Sequence, residues 1–175
     1  TDGGGNLLVT EGGSTTTFSV VLDNEPHANV IITITGDDAS EFSLSSSSLT
    51  FTAANWDTPQ TITVTGVDDN ATDGDTTTTL TATASDTGGF SGTEKASTTV
   101  ITTDNEVAGI TIAQTGTTSG GHLLTTEAGG SSSFSIVLDA EPTDDVVVTI
   151  TGDDASEFSL SSSSLTFTAA NWNTP

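Results

Sequence analysis

The strongest constraint on the fold of this chain is that its sequence repeats. When the 175 residues are shifted by 116 positions, residues 1–59 align with residues 117–175, and 42 of these 59 positions are identical. Within Thr33–Pro59 only one position differs, where Asp57 stands against Asn173. Such close internal identity is typical of tandem units of one fold, stacked in a quasi-linear array. We therefore expect tandem repeats with a period of about 116 residues.

The two units are expected to differ in extent. We place the first unit at residues 1–108 and the second at residues 109–175. Residues 109–116 have no counterpart ahead of Thr1, so the first unit is expected to lack a first strand. Nothing equivalent to Gln60–Thr103 follows Pro175, so the second unit is expected to lack its last three strands unless a neighbouring chain supplies them.

Alternation of apolar and polar residues with a period of two predicts β-strands throughout the first unit. No segment shows the spacing of three to four residues that is typical of a helix. The expected fold is all-β, with one antiparallel immunoglobulin-like β-sandwich per repeat and no cysteine pair. The predicted strands are Leu7–Thr10, Phe18–Leu22, Val30–Thr35, Ser40–Thr52, Ile62–Val64, Leu80–Ala84 and Thr98–Thr103.

The charge of the chain limits its partners. Asp and Glu number 24 against a single Lys, Lys95, which gives a formal net charge of -23. Binding to nucleic acid or to an anionic membrane surface is not expected, because both need Lys or Arg at the contact. Membrane insertion is not expected either, since no apolar run approaches the roughly 18 residues of a membrane span. Only 32% of the residues are hydrophobic and Cys is absent, so bound cations are the first candidates for additional stabilisation.

The acidic residues are distributed unevenly between the two ends of the predicted sandwich. If successive strands run antiparallel, their connections alternate between the ends. One end then receives ten carboxylates: Glu11, Asp37, Asp38, Glu41, Asp68, Asp69, Asp73, Asp75, Asp104 and Glu106. The opposite end receives five, together with Lys95: Asp23, Glu25, Asp57, Asp86 and Glu94.

Ten like charges at one end favour a bound cation. Oxygen ligands from several loops suit Ca²⁺, whereas Mg²⁺ requires a more rigid octahedron with fewer carboxylates. The pattern is not an EF-hand, because aligning Gly74 with the loop glycine puts Ala71 and Leu80 where oxygen ligands are required. The alternative that the acidic turns form only a soluble surface, with Asp side chains bonded to their own backbone, stays open.

Several segments of the first unit resemble the Calx-beta-like repeats of large bacterial surface adhesins and secreted proteins. They are Val9–Gly13, Leu49–Trp56, Pro59–Asp69 and Asp73–Asp75. The resemblance implies that an early Glu, an acidic run after a late strand and an acidic run at the domain exit bind calcium. The implied ligands are Glu11, Asp68, Asp69, Asp73, Asp75, Asp104 and Glu106, with Asp38 as a further candidate.

The calcium site is expected in the first unit only. In the second unit, the matching acidic residues are Glu127, Asp153 and Asp154 alone, so a complete site is not expected there. The exit run Asp104–Glu106 is less acidic than in the exchanger sensors that are related to these repeats, which leaves the number of bound ions open.

We favour a secreted or cell-surface repeat module that acts as a calcium-rigidified spacer of an adhesin or matrix protein. Its partners would be neighbouring repeats, copies of itself and, through other domains, cell-surface glycans. One alternative is a subunit of an extracellular filament in which neighbours exchange strands. Another is a glycan-binding module that uses Trp56, although closing the end of the core explains that residue better. An enzyme is not expected, because neither His27 nor His122 recurs in the other unit.

Overall fold

A computed structural model of the chain describes residues 1–116 and 118–175. These residues divide into two compact units, one comprising Thr1–Asp69 and Gly74–Asn105, the other comprising Asn70–Asp73 and Glu106–Pro175. The described residues form fourteen strands and no helix, which confirms the all-β class. It follows that no helix in the described part of the chain could cross a membrane. The boundary proposed between residues 108 and 109 stays a prediction.

The first unit contains eight strands in two sheets. The five-stranded sheet has the order β1-β8-β7-β3-β5, and the three-stranded sheet has the order β2-β6-β4. The strands are β1 (Leu7–Thr10), β2 (Thr15–Val20), β3 (Val30–Thr35), β4 (Phe42–Leu44), β5 (Ser48–Phe51), β6 (Gln60–Gly66), β7 (Thr76–Ala84) and β8 (Lys95–Thr103).

One strand pair differs from the antiparallel arrangement that we expected. β1 runs parallel to β8, with Leu7 opposite Val100 and Thr10 opposite Thr103. All other pairs of the first unit are antiparallel. The difference arises because β1 and β2, although successive in the chain, belong to different sheets. β1 therefore pairs with β8, which lies much later in the sequence.

The single strand predicted at Ser40–Thr52 is wrong. The structure divides it into β4, which pairs with β6, and β5, which pairs with β3 in the other sheet. Leu44 and Leu49 are five residues apart, so in one regular strand their side chains would point to opposite faces. Switching sheets between them lets both leucines pack against the same core.

The core of the first unit lies between the two sheets. Alternation in β3 buries Val30, Ile32 and Ile34 and leaves Ile31 exposed, as expected for a strand with one face inward. Trp56 is half-buried and packs against this core at the end of the sandwich where β3 begins. The other buried apolar residues are Leu7, Val9, Leu22, Phe42, Phe51, Ile62, Val64, Leu80, Ala84 and Val100.

The strand registers bring four connections of the first unit to one end. β1, β3, β6 and β8 end there, and β2, β4 and β7 begin there. This confirms the alternation from which we placed the loops. Gly66 is required at this end, because a Cβ on it would collide with the carbonyl oxygen of Thr10.

The second unit is described by three two-stranded pairs. β9 (Ile110–Gln114) pairs with β12 (Phe134–Leu138), β10 (Thr118–Ser119) pairs with β11 (His122–Leu123), and β13 (Val146–Thr149) pairs with β14 (Ser164–Phe167). All three pairs are antiparallel. Ile136, Leu138 and Phe167 form its small buried core.

Candidate metal centre at the acidic end

The acidic end of the first unit is the end at which β1, β3, β6 and β8 terminate. Six of the eight predicted metal ligands belong to this unit, and each lies in a connection at this end. They are Glu11, Asp38, Asp68, Asp69, Asp75 and Asp104. Asp73 and Glu106 group with the second unit, where Asp73 is exposed and Glu106 is half-buried.

Glu11 is the innermost of these carboxylates. It continues the inward alternation of Leu7 and Val9 one step past β1, and its backbone N–H donates a 3.2 Å hydrogen bond to the carbonyl oxygen of Thr103. The residue is only 6% exposed. An ionised carboxylate at such a position needs compensation by hydrogen bonds or by a positive charge.

Asp68 and Asp69 approach the Glu11 turn from the end of β6. One carboxylate oxygen of Asp69 and one of Glu11 lie within 4.8 Å of each other. A Cβ built on Gly12 would lie 3.5 Å from Oδ1 of Asp68, so this carboxylate rests against the turn that carries Glu11. Two oxygens that each bind Ca²⁺ at about 2.3–2.6 Å can be up to about 5 Å apart. The Glu11 and Asp69 oxygens therefore have a spacing that one calcium ion can bridge.

Asp75 and Asp104 join the β6–β7 connection to the exit of β8. The backbone N–H of Gly74 donates to Oδ2 of Asp104 at 2.8 Å, and the backbone N–H of Asp104 donates to Oδ1 of Asp75 at 3.2 Å. These two bonds hold carboxylates from separate connections beside each other. Backbone donors offset part of the cost of bringing two negative charges together.

Sequence reasoning did not give Glu41 a role in the metal site. The structure buries it to 7% exposure, and the hydroxyl of Thr76 donates to its Oε2 at 2.6 Å. The hydroxyl of Thr102, which lies in β8 two residues before Asp104, is also buried and has no hydrogen-bond partner among the described residues. Glu41 lies directly before the buried Phe42, and alternation continued from β4 predicts an exposed side chain at this position, so the sequence pattern gave no signal for its burial.

Asp38 has a local structural contact. Its Oδ1 accepts a 2.6 Å hydrogen bond from the Ser40 hydroxyl and a 3.2 Å bond from the Ser40 backbone N–H. These bonds, the hydroxyl first, lower the pKa of Asp38 below its ordinary value of 3.8. Asp154 and Ser156 repeat the arrangement in the second unit, and the pKa of Asp154 is lowered for the same reason. The recurrence points to turn formation as the first role of Asp38.

The first unit offers the acidic end no side-chain cation. Lys95 is the only Lys or Arg in the sequence, and it begins β8, the strand that ends at Thr103. Eight residue steps along a strand span about 26 Å, so this ammonium lies at the opposite end of the sandwich. The acidic end thus combines a buried Glu, clustered oxygen donors and no internal counter-charge, which is a donor set suited to a hard cation.

No protein-family model and no curated protein sequence matches the chain. Several solved structures show a distant likeness to the chain. CBD12 from CALX1.2 is 12% identical over 82% of this chain and 74% of that one, with a TM-score of 0.40. The CsuC-CsuE chaperone-tip adhesion subunit pre-assembly complex of Acinetobacter baumannii is 10% identical over 93% of this chain and 83% of that one, with a TM-score of 0.42.

The third structure is SSP-19, an MSP-domain protein like family member of Caenorhabditis elegans. It is 9% identical over 58% of this chain and 94% of that one, with a TM-score of 0.39. Scores and identities this low carry no argument about function, and the strand pairings described above establish the fold class by themselves. The comparisons therefore leave the chain as an all-β protein that is distantly similar to β-sandwich domains.

Proposed function

We propose that the first unit is a calcium-stabilised β-sandwich module of an extracellular structural or adhesive protein. The observation that carries this proposal is the convergence of Glu11 and Asp69, whose oxygens lie within 4.8 Å of each other although they follow different strands. The same end of the sandwich also carries Asp68, Asp75 and Asp104. Calcium would supply the positive charge that the side chains at this end of the unit do not.

The proposed ligands fall into two groups. The first group is proposed from its position in the first unit and comprises Glu11, Asp68, Asp69, Asp75 and Asp104. Asp73 and Glu106 are added because they lie within one residue of Gly74 and Asn105 in the sequence, at the two points where the first unit's chain is interrupted or ends. Asp38 is proposed as a peripheral ligand at most, since Ser40 occupies one of its oxygens.

Calcium fits better than other common ions. All donors are hard oxygen atoms, which suit Ca²⁺, Mg²⁺ and Mn²⁺, and no imidazole or thiolate is among them. Several flexible loops with many carboxylates favour an ion that takes six to eight ligands. Extracellular calcium modules bind with dissociation constants of about 10⁻⁴–10⁻³ M, so such a site would be filled outside a cell.

The role of the ion would be mechanical. Each of the four connections at the acidic end follows a different strand, and these strands come from both sheets. One ion that contacts several of the connections would therefore tie the two sheets together. A ligand that binds only the folded state stabilises it by mass action, by about 2.7 kcal/mol at one hundred times Kd. In an extended array, partners would be neighbouring repeats or further copies of the chain.

Thermal unfolding with and without calcium tests the proposal. The full chain, treated with a chelator and then brought to saturating Ca²⁺, is expected to gain roughly 10–20 °C in the Tm of the first unit. Glu11→Gln is expected to remove most of this gain. Glu127→Gln is the matched control, because Glu127 occupies the same repeat position in the second unit and should leave the gain unchanged.

Ionic strength must be held constant, because salt alone screens the net charge of -23. An equal Tm in calcium and chelator would overturn the proposal. So would equal gains from Ca²⁺ and from NaCl of matched ionic strength, since that result would indicate screening rather than a site. Isothermal titration calorimetry on the same protein would give the number of bound ions.

A further inference from the structure

The three-stranded sheet of the first unit has an open edge. β2 ends the order β2-β6-β4, and within the described residues only β6 pairs with it. The N–H of Gly66 donates to the carbonyl oxygen of Ser14, so these two residues face each other through a hydrogen bond. In an antiparallel ladder, hydrogen-bonded residue pairs alternate with pairs that are not hydrogen-bonded. Even-numbered residues of β2 therefore bond to β6. Thr17, Ser19 and Val21 direct their N–H and C=O groups away from it.

The second unit contains a strand on the corresponding edge. In the repeat alignment, residues 133, 135, 137 and 139 match residues 17, 19, 21 and 23. Thr115 N–H donates to the carbonyl oxygen of Ser133 at 2.9 Å, and Asp139 N–H donates to that of Gly109 at 3.0 Å. In the second unit, β9 thus pairs with the side of β12 that corresponds to the open side of β2 in the first unit.

Identical residues are more exposed where this strand is missing. Ser19 is exposed, whereas Ser135 beside β9 is half-buried. Val21 is 45% exposed, whereas Val137 is half-buried. Because the residue types are the same, the difference reflects the neighbouring strand rather than the side chain. The edge of β2 therefore presents the surface that β9 covers elsewhere in the chain.

Asp139 provides a polar anchor for β9. The hydroxyl of Thr111 donates to its Oδ1 at 2.6 Å. A Cβ on Gly109 would collide with the same carboxylate, so an alanine here requires this exposed side chain to move. Asp23 is the same residue type at the matching position of the first unit, and it is exposed.

A cavity of about 560 Å³ lies beside the end of β2. Val20, Leu22 and Phe90 contribute apolar surface to its wall, and Asp23 lies at the same cavity. In the second unit, Ile112 is opposite Ile136 and Ile110 is opposite Leu138. Paired residues point to the same face of a sheet. A strand of this type on β2 would therefore place its two isoleucines opposite Val20 and Leu22, over the cavity.

We propose that the edge of β2, with Asp23 as its anchor, binds by antiparallel strand addition a strand of the β9 pattern from another copy of the repeat. The β9 segment 108–116 carries no charged residue, which suits a chain whose net charge of -23 repels acidic partners. Main-chain hydrogen bonds would provide the affinity, and the glycine and isoleucine positions would provide specificity. This inference does not depend on the metal site.

A synthetic peptide with the sequence of residues 108–116 tests the proposal on the full chain, in the presence of chelator. Amide hydrogen exchange followed by NMR is the readout. At a peptide concentration of about ten times Kd, exchange at Thr17, Ser19 and Val21 is expected to slow about tenfold. Phe18 and Val20, which bond to β6 already, are expected to change much less.

Two variant peptides and one pair of chain variants serve as controls. A peptide with Gly109→Ala and a peptide with both isoleucines replaced by Thr are expected to lose this protection. In the chain, Ser19→Pro removes one outward N–H, and Pro is tolerated on the open side of an edge strand. Binding is expected to be lost in Ser19→Pro and kept in Ser19→Ala. If Ser19→Pro does not fold, the peptide with both isoleucines replaced by Thr decides on the wild-type chain.

Three results would overturn the inference. One is no protection at Thr17, Ser19 and Val21 at peptide concentrations up to about 1 mM, which corresponds to binding weaker than about 1 mM. Another is equal protection by the peptide in which both isoleucines are replaced by Thr, and the third is protection confined to β12. Concentration-dependent protection of the same three amides without peptide would support it if β12 loses protection at the same time, because a second molecule can supply its β9 only by releasing it from β12.

Discussion

The hydroxyl of Thr76 donates a 2.6 Å hydrogen bond to Oε2 of Glu41, and this bond connects the two sheets of the first unit at the acidic end. Thr76 begins β7 of the large sheet, and Glu41 precedes β4 of the small sheet. Glu41 is 7% exposed. The contact therefore satisfies a buried carboxylate that a sequence reading would assign to the surface.

Thr76→Val is expected to destabilise the first unit by about 1–3 kcal/mol, because it leaves a buried acceptor without its donor. Thr76→Ser keeps the hydroxyl and should lie close to the wild type. Urea unfolding followed by NMR signals of the first unit measures the difference. Equal midpoints for the Val variant and the wild type would show that the bond contributes nothing.

Gly66→Ala is expected to destabilise the first unit by about 1–3 kcal/mol, the usual cost of excess volume in a packed site. The added methyl group would collide with the carbonyl oxygen of Thr10, which is held in β1. Gly3→Ala is the control, because a Cβ at Gly3 meets no atom within 4 Å. A Gly66→Ala midpoint within error of the control would contradict the close approach.

Phe42 and Phe158 occupy matching positions in the repeat but differ in burial, with 1% and 40% exposure. Phe42→Ala is expected to cost about 3–5 kcal/mol. Phe158→Ala is expected to cost about 1 kcal/mol or less, as for a residue near the surface. Denaturant unfolding, followed by NMR signals of each unit, compares the two. Similar costs would indicate that the second unit covers Phe158 in solution.

Protonation of Asp38 should depend on Ser40. Because hydrogen bonds lower the folded pKa of Asp38 below 3.8, its stabilising contribution is present above that pH and is lost as the pH falls towards the folded pKa. In Ser40→Ala the pKa of Asp38 is expected to rise towards 3.8, as measured by NMR titration. Ser156→Ala should shift Asp154 in the same way and leave Asp38 unchanged.

Much of the fold was predictable because the strands of the first unit have a clear period of two. The positions of β3 and the end to which β6 and β8 lead follow from apolar alternation and from counting connections. The division of Ser40–Thr52 was not predictable from that rule, since a run of four serines has no apolar face to reveal a change of sheet. Residue counting between Leu44 and Leu49 was the signal that could have shown it.

The candidate site was predictable at the level of its location and less so in detail. Glu11, Asp68, Asp69, Asp75 and Asp104 lie in the expected connections of one unit. The burial of Glu41 and its bond to Thr76 depend on how the two sheets face each other, which a one-dimensional pattern does not contain. The same limit applies to Asp38, whose carboxylate is bonded to a serine two residues away.

The parallel pairing of β1 with β8 has a consequence for tension. Among the eight described strands of the first unit, β1 comes earliest in the chain and β8 latest, and they are aligned from Leu7 opposite Val100 to Thr10 opposite Thr103. When the chain is pulled at both ends of the unit, these two strands are drawn past each other along their length. Their hydrogen bonds are then loaded together instead of opening one after another. A chain built in this way resists stretching at the point where the force enters it.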